Sequence, residues 1–228
     1  MQIPNDNDIA LGLSDFGLVS LASGHRFDEL AAQAFVRLQA RALTQGFVLQ
    51  AASSYRSYAS QLAIFNAKWR GDRQVLDDFD RVLNRQDHTS EEWLHRILRF
   101  SALPGTSRHH WGTEVDIFDP TLIPEGESLK LIPSEYGSGG YFASLTRWLD
   151  GAIKEGVSED FVRPYHTDKG GVAVEPWHLS YRPRAEQLRG YQTPAALSEA
   201  WEKWPALRPD GFELILDCLE EIFEQYVV

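Results

Sequence analysis

Two short stretches of this chain carry the side chains that a bound metal ion requires. Residues 107–116 read Ser-Arg-His-His-Trp-Gly-Thr-Glu-Val-Asp, and residues 175–181 read Glu-Pro-Trp-His-Leu-Ser-Tyr. Together they offer imidazole and carboxylate ligands, with a further carboxylate three positions before the last histidine. A catalytic zinc site needs three ligands from the His, Asp and Glu set, a fourth position left to water, and a base nearby. The two stretches supply that inventory.

The first stretch predicts a turn followed by a strand. His109 and Asp116 can reach one ion only if the chain folds back between them, and Gly112 permits such a turn because it has no Cβ. Residues 113–118 are rich in β-branched side chains and read as a strand. Alternation along it places Glu114 and Asp116 on the same face. Spacing alone does not decide which of these acids is the ligand.

The second stretch predicts a bend. Glu175 and His178 are three positions apart, so a regular strand would point them to opposite faces. Pro176 keeps Glu175 out of the helical region and has no N–H to donate, which favours a kink or a strand end. A bend would aim both side chains into one cleft. Either stretch alone also suits an ordinary loop with a packed tryptophan and a surface histidine, but their occurrence together favours a metal site.

A third segment completes a family resemblance. Residues 53–57 read Ser-Ser-Tyr-Arg-Ser, and Gln61 follows. The three segments resemble the Ser-Gly-Tyr-Arg-Ser…Gln, Ser-x-His-x-x-Gly-x-x-x-Asp and Glu-x-Trp-His signatures of the VanY-type zinc D-alanyl-D-alanine carboxypeptidases, within the lysostaphin, D-Ala-D-Ala carboxypeptidase and Hedgehog superfamily. Order and spacing agree over roughly residues 28–183. Ser54 stands where glycine is usual, a difference that concerns only the local backbone.

The resemblance implies a role for each matching residue. It implies one Zn²⁺ per chain, bound by His109, Asp116 and His178. It also implies that Glu175 is the general base and that Arg56 stabilises the oxyanion that forms from the scissile carbonyl.

Two further residues complete the site as the resemblance describes it, and a third lies next to a proposed ligand in the sequence. Ser107 and Gln61 match positions near the bound peptide, where a substrate carboxylate can be held. His110 has no role carried over, and we interpret it as a neighbour of the ligands or a surface residue.

The implied activity is hydrolysis of the C-terminal D-amino acid of peptidoglycan stem peptides, as a D-Ala-D-Ala or an L,D-type carboxypeptidase. One alternative is an endopeptidase that cuts cross-links. Another is a metal-bearing peptide-recognition module without turnover, although the presence of both Glu175 and Arg56 argues against it. A serine hydrolase based on Ser107 is disfavoured because no Gly-x-Ser-x-Gly elbow surrounds that residue.

The expected fold class is α+β, with a small, mostly antiparallel sheet that carries the zinc site and is covered by helices. We expect a zinc peptidase domain over residues 1–183, including an irregular entry segment at 1–25, and a helical extension over 184–228 packed on the same domain. That extension is either a packing cap or a dimer surface, so the oligomeric state stays open.

Apolar periodicity and turn residues predict the individual elements. We expect helices near 27–46, 58–69 and 141–155, a helix opening at Thr89-Ser90, a strand at 47–53, and a mobile surface loop at 124–140. A hairpin is expected between 161–165 and 172–175. In the extension, a helix starts at Thr193-Pro194 and a final apolar helix covers 212–224.

Composition limits the partners and the compartment. The net charge of −11 argues against a nucleic-acid ligand, because affinity for phosphate backbones needs clustered Lys and Arg. An acidic surface is also a poor match for a strongly anionic polymer, so we expect a peptidoglycan-derived peptide to be recognised locally, at its peptide end. The single Cys218 excludes an intramolecular disulfide and is expected to be a small buried side chain. No signal peptide or transmembrane segment is visible, so the sequence as given predicts a cytoplasmic protein, or a periplasmic or cell-envelope protein if a leader was removed.

Overall fold

The computed structural model describes residues 5–227 of the chain. Within that part there are six strands: β1 (Leu18–Ser20), β2 (Arg26–Asp28), β3 (Gln50–Ser53), β4 (Glu114–Phe118), β5 (Phe161–Val162) and β6 (His178–Tyr181). The helices there are α1 (Asp6–Ala10), α2 (Glu29–Thr44), α3 (Tyr58–Arg70), α4 (Ser90–Leu98), α5 (Pro133–Tyr136), α6 (Ala143–Lys154), α7 (Arg182–Arg189), α8 (Pro194–Lys203), α9 (Phe212–Asp217) and α10 (Leu219–Tyr226). No helix of the described chain combines the length and the apolar character of a membrane span.

The central sheet has four strands in the order β3-β4-β6-β5, and every neighbouring pair is antiparallel. Register between β4 and β6 sets Asp116 opposite His178 and Glu114 opposite Ser180. A sheet of this kind with helices around it confirms the predicted α+β class. The register also brings residues from the two distant sequence stretches side by side.

One face of the sheet is apolar and covered by helices. Val115 and Ile117 of β4 belong to a buried cluster with Phe35 of α2 and Leu149 of α6. Glu114 and Asp116 alternate with these residues and therefore lie on the opposite face. The predicted alternation is confirmed, and it leaves the polar face of β4 for the site.

The C-terminal helices pack against α3 and α4. Trp201 of α8 and Ile222 of α10 are buried in one cluster with Phe65 and Ile97. The hydroxyl of Tyr58, at the start of α3, donates a hydrogen bond to the carbonyl of Leu207 (2.8 Å). These helices thus cover the side of α3 and α4, while the domain division between residues 183 and 184 stays a prediction.

Two of the predicted helix starts are visible in their caps. Ser57 accepts a hydrogen bond from the amide of Ser60 and so begins α3. Thr89 and Glu92 form a reciprocal capping box at the start of α4. These local interactions explain why sequence signals placed both helices well.

The N-terminal and C-terminal regions differ from expectation. The entry segment is not irregular: within its described part it contains α1 and strand β1, which pairs with β2, while residues 1–4 lie outside the described residues. The final apolar helix is two helices, α9 and α10, separated at Cys218, which has φ −113° and ψ 20°. Cys218 is half-buried rather than buried.

The expected hairpin between 161–165 and 172–175 is wrong. β5 pairs with β6 instead, and the amide of Ala173 donates to the carbonyl of Arg99. A Cβ on Gly171 would lie 1.8 Å from the carbonyl oxygen of Gln225, so this segment packs against the end of α10. The segment 124–140, which was predicted to be a mobile surface loop, contains the short helix α5.

A candidate metal centre and its cleft

The three predicted metal ligands converge at one point of the polar face. Ligand atoms of His109, Asp116 and His178 all lie within 4.8 Å of one another, and all three side chains are buried. Nε2 of His109 is 3.3 Å from Oδ2 of Asp116, and Nδ1 of His178 is 3.1 Å from its Oδ1. The two imidazole rings stand nearly perpendicular, with 4.9 Å between centroids. The three side chains therefore meet at one point, and their role as metal ligands stays a prediction.

A short 3₁₀ helix, Arg108–Trp111, presents His109 to the site and ends at Gly112. Gly112 has φ +70°, and a Cβ there would lie 2.8 Å from the backbone nitrogen of Asp28. Nδ1 of His109 is 2.7 Å from the carbonyl oxygen of Ser54. Because a carbonyl only accepts, Nδ1 carries the hydrogen and Nε2 is left with a lone pair that faces Asp116.

His178 is oriented by a second carboxylate. Its Nε2 lies 2.8 Å from Oε2 of Glu114, which is fully buried. Donation from Nε2 leaves the lone pair of Nδ1 facing Asp116 when the ring is neutral. Burial opposes a charge on His178, but hydrogen bonds to Asp116 and Glu114 outweigh it and raise the pKa of His178 to about 10. The strand that carries Asp116 thus also carries the residue that orients the opposite histidine.

Glu114 is held by a network of buried donors. Its Oε1 accepts hydrogen bonds from the hydroxyls of Ser180 (2.7 Å) and Thr113 (3.0 Å) and lies 3.3 Å from Nη2 of Arg108. Burial raises the pKa of Glu114, but the Arg108 guanidinium and His178 lower it to about 2. Glu114 is therefore a carboxylate at neutral pH. Strand alternation predicts the face on which Glu114 lies, but no sequence signal indicates this role.

Burial also opposes the charge on Asp116. The imidazoles of His109 and His178 nevertheless hold the pKa of Asp116 well below its usual range. His109 behaves in the opposite way, because burial lowers the pKa of its ring. At neutral pH the cluster thus holds a carboxylate that is faced by two imidazole nitrogens. Nε2 of His109 carries a lone pair, whereas Nδ1 of His178 carries a proton that a metal ion would displace.

Glu175 lies beside this cluster. Its Oε2 is 3.5 Å from Nδ1 of His178, and the amide of His178 donates to the carbonyl of Glu175 (3.1 Å). The bend predicted around Pro176 is therefore confirmed. Burial, reinforced by the charge of Asp116, raises the pKa of Glu175 to about 7, against the opposing effects of His178 and Arg56. A carboxylate with this pKa is suited to exchange a proton near neutral pH.

Arg56 faces the same cleft from the start of the loop before α3. Its Nη1 donates to Oε1 of Gln61 (2.8 Å), and its Nη2 donates to the hydroxyl of Ser53 (3.1 Å). Gln61 is fully buried, and its amide nitrogen donates to the carbonyl of Ala102 (2.6 Å). Gln61 holds Arg56 in place, and its role in binding substrate stays a prediction.

Two other predicted or weighed residues are also located. Ser107 is buried and lines the cleft, so it is placed where the prediction needs it, and its substrate contact stays a prediction. His110 is buried next to the ligands. Its Nδ1 donates to the carbonyl of Arg56 (2.6 Å), and its Nε2 accepts from the amide of Gly105 (3.1 Å). This neutral ring joins the Arg56 loop to the segment before the 3₁₀ helix.

The site opens into a cleft of about 610 Å³. Its walls include Tyr165, whose ring centroid is 5.0 Å from that of His178, and Ile64 and Lys68 on α3. Tyr165 and Lys68 were missed by sequence analysis. No local pattern marks them, because each reaches the cleft only through the packing of its element.

Comparison with known proteins places the chain among peptidases. The family model described as "VanY: D-alanyl-D-alanine carboxypeptidase" matches residues 24–184. An uncharacterised protein of Haemophilus influenzae is 42% identical over 128 residues, which cover 55% of this chain and 93% of that protein. A D-alanyl-D-alanine carboxypeptidase of Enterococcus faecalis is 26% identical over 170 residues, which cover 73% of this chain and 52% of the relative. The chain therefore spans about half the length of that carboxypeptidase.

Solved structures agree with this placement. VanYB in complex with D-alanine-D-alanine superimposes with a TM-score of 0.54 at 25% identity, covering 78% of this chain and 83% of that chain. A mutant of the vancomycin resistance D,D-pentapeptidase VanY in complex with Zn(II) gives a TM-score of 0.53 at 25% identity, covering 78% and 90%. The sequence match covers most of the chain and includes all three motif segments. This chain belongs to the VanY D-alanyl-D-alanine carboxypeptidase family.

Proposed function

We propose that this protein is a zinc-dependent D-alanyl-D-alanine carboxypeptidase that releases the C-terminal D-alanine from peptidoglycan stem peptides. The observation that carries the proposal is the convergence of two imidazoles and a carboxylate beside a second, protonatable carboxylate. The identities of the substrate and the metal are proposed from related structures: VanYB was solved with D-alanine-D-alanine, and a VanY mutant was solved with Zn(II).

The residues present fit a zinc ion. His109, Asp116 and His178 provide the nitrogen and oxygen donors that catalytic zinc uses, and three protein ligands leave a fourth position for solvent. Each imidazole has its other ring nitrogen engaged, by Ser54 or Glu114, as metal-ligating histidines usually do. A bound Zn²⁺ would lower the pKa of a water molecule and polarise the scissile carbonyl.

Glu175 is the proposed general base. In its ionised form, one of its carboxylate oxygens accepts a proton from the attacking water, and the same group then donates that proton to the nitrogen of the departing D-alanine. The pKa of about 7 suits both transfers, since a much stronger acid would hold the proton too weakly. The bend at Pro176 keeps this carboxylate on the same side of the cleft as His178.

Arg56 is the proposed stabiliser of the oxyanion. Its two donated hydrogen bonds, to Gln61 and Ser53, fix the guanidinium plane before substrate arrives. Its remaining N–H groups are available to the carbonyl oxygen that gains charge in the transition state. By comparison with other lost oxyanion donors, replacing Arg56 should lower turnover by about 10²–10³.

Two variants separate chemistry from metal binding. Glu175→Gln should retain zinc and lose hydrolysis, because the amide preserves the shape of the side chain and cannot accept the proton. His178→Ala should lose both, because a ligand is removed. Zinc content is measured by elemental analysis, and D-alanine release from tetra- and pentapeptide stems is measured by mass spectrometry, with and without a chelator.

Near-native turnover by Glu175→Gln would exclude Glu175 as the base. Activity that survives complete removal of the metal would exclude the zinc mechanism. Release of an internal fragment from cross-linked dimers, with no free D-alanine, would replace the carboxypeptidase with an endopeptidase.

A further inference from the structure

The last helix, α10, lies outside the part of the chain that matches the family model, which ends at residue 184. It nevertheless reaches the cleft, because Tyr226, its last residue, lines the cleft wall. The Tyr226 hydroxyl is 2.9 Å from Nδ1 of His95 on α4, and the two rings pack with 5.8 Å between centroids. The end of α10 is therefore fixed on α4 at the edge of the cleft.

The end of α10 also contacts the segment 170–175, which leads to Glu175. Nε2 of Gln225 donates a hydrogen bond to the carbonyl of Gly170 (2.8 Å). Gly171 is buried, and a Cβ on it would overlap the carbonyl oxygen of Gln225. An alanine at this position must therefore move either the segment or the end of α10, because both of the groups that meet are backbone.

Arg99, which follows α4, holds the same segment through its backbone. Its Nη1 donates to the carbonyl of Gly171 (2.6 Å), and its own carbonyl accepts from the amide of Ala173 (2.9 Å). The guanidinium is fixed in turn by Asp168 and by Asp78, whose Oδ1 accepts from Nε (2.9 Å). Two paired carboxylates leave this side chain little freedom, so it is a rigid support.

The support extends to Glu175 along the chain. Residues 171–175 belong to no helix or strand of the described structure, so contacts with other elements must fix their position. Gly171, Ala173 and Glu175 are buried, whereas the two valines between them are half-buried, which is the alternation of an extended segment. The amide of Glu175 donates to the carbonyl of Tyr165 (3.0 Å), and its Oε2 lies 3.5 Å from Nδ1 of His178.

We propose that the end of α10 is a positioning element for the general base: Gln225, through the backbone of Gly170 and Gly171, holds the carboxylate of Glu175 at the reacting centre. This inference rests on the proposed function. It gives the C-terminal extension a part in turnover that neither a packing cap nor a dimer surface has. A base must lie within hydrogen-bond reach of the water it deprotonates, and a displacement of about 1 Å can lower the rate about 100-fold.

The test measures kcat and KM of Gln225→Ala and Gly171→Ala in the zinc-loaded full chain, with an N-acylated tripeptide ending in D-Ala-D-Ala as substrate. Gln225→Ala should lower kcat about 2- to 10-fold, the range for one lost hydrogen bond. Gly171→Ala should lower kcat by up to about 100-fold, because it displaces the backbone. KM and zinc affinity should be unchanged in both variants, since the proposed metal ligands stay in place.

A second measurement does not depend on activity. Hydrogen exchange of the backbone amides of residues 171–175 is followed by mass spectrometry on the full chain. Both variants should exchange faster in this segment, by about 2- to 10-fold in Gln225→Ala, because local opening becomes easier when a supporting hydrogen bond is lost.

Two further variants are controls. Gln39→Ala removes a hydrogen bond of the same kind, from the side chain of a glutamine on α2 to the carbonyl of Leu49 (2.9 Å). It should lower the free energy of unfolding and leave kcat and the exchange of residues 171–175 unchanged. Gly190→Ala adds a methyl group within the extension where a Cβ meets open space, and it should change none of these quantities.

A native kcat in Gln225→Ala, together with faster exchange of residues 171–175, overturns the positioning role. Unchanged exchange in that variant overturns the support itself, and an equal loss of kcat in Gln39→Ala reduces the effect to general destabilisation. Gln225→Ala decides the question if Gly171→Ala does not fold. Failure of the proposed function is a different result: the unsubstituted protein would release no D-alanine, while the exchange measurement would still report whether α10 holds the segment.

Discussion

Glu114 offers the sharpest test of how the metal centre is built. Its Oε1 is surrounded by three donors, from Arg108, Ser180 and Thr113, whereas its Oε2 receives the N–H of His178. In Glu114→Gln the amide oxygen should therefore take the position of Oε1. The amide nitrogen then faces Nε2 of His178.

An amide nitrogen cannot accept a hydrogen bond, so Nε2 of His178 must become the acceptor. The imidazole hydrogen moves to Nδ1, which faces Asp116 and the place of the ion. Zinc binding through Nδ1 would force the ring hydrogen back to Nε2, where it would face the amide N–H and not the carboxylate oxygen that accepts it in the unsubstituted protein. Loss of such an orienting partner typically weakens metal affinity by about 10- to 100-fold, which corresponds to roughly 1.4–2.7 kcal/mol.

Zinc affinity of Glu114→Gln is measured by competition with a chromophoric chelator, and thermal unfolding of the zinc-free protein shows whether the fold is retained. Thr113→Val is the matched control, because it removes one donor to Oε1 and leaves the charge of Glu114 and its bond to His178 in place. Its zinc affinity should stay close to that of the unsubstituted protein. Unchanged zinc affinity in Glu114→Gln would refute the orienting role.

Three other predictions follow from the structure. Gly112→Ala should destabilise the fold by about 1–2 kcal/mol and weaken zinc binding, because φ at Gly112 is +70° and the new Cβ would meet the Asp28 backbone. The free energy of unfolding is measured by chemical denaturation. The control is Gly151→Ala on α6, where a Cβ meets open space, and it should be neutral or stabilising in the same series. Tyr58→Phe should lower the free energy of unfolding by about 1–3 kcal/mol, because the indole N–H of Trp201 and the carbonyl of Leu207 both lose their hydrogen-bond partner. A free energy of unfolding equal to that of the unsubstituted protein would contradict this. The value of kcat/KM, which reports the free enzyme, should decline as pH falls through about 7, because Glu175 must be ionised to accept a proton from water, and a kcat/KM that stays constant through that pH would contradict this.

Much of the site was predictable because its chemistry is encoded locally. His109, Gly112 and Asp116 lie within one turn and one strand, and strand alternation alone separates Asp116 from the apolar Val115. The strand and turn were therefore predicted from residue types. The choice of Asp116 rather than Glu114 as the proposed ligand came from the family resemblance, and the strand register agrees with it: Asp116 is opposite His178, and Glu114 is opposite Ser180.

The missed features depend on long-range packing. Lys68 looks like any lysine near a helix end, and only the packing of α3 brings it to the wall of the cleft. The pairing of β5 with β6 could not be read from residues 161–175, because the glycine pair that indicates a hairpin instead permits close contact with the end of α10. Local turn signals give no information on which strand becomes the neighbour.

The relation between Glu175 and His178 shows how a short spacing can encode a site without secondary structure. Three positions along a strand would separate the two side chains across the sheet. The chain avoids this because Pro176 cannot continue a sheet ladder, and the hydrogen bond from the His178 amide to the Glu175 carbonyl closes a turn. Trp177 anchors that turn by packing its ring 5.5 Å from that of Tyr136. Each residue of Glu-Pro-Trp-His therefore has a distinct physical task, and the Glu175 carboxylate lies next to the His178 ring because β6 begins only at His178.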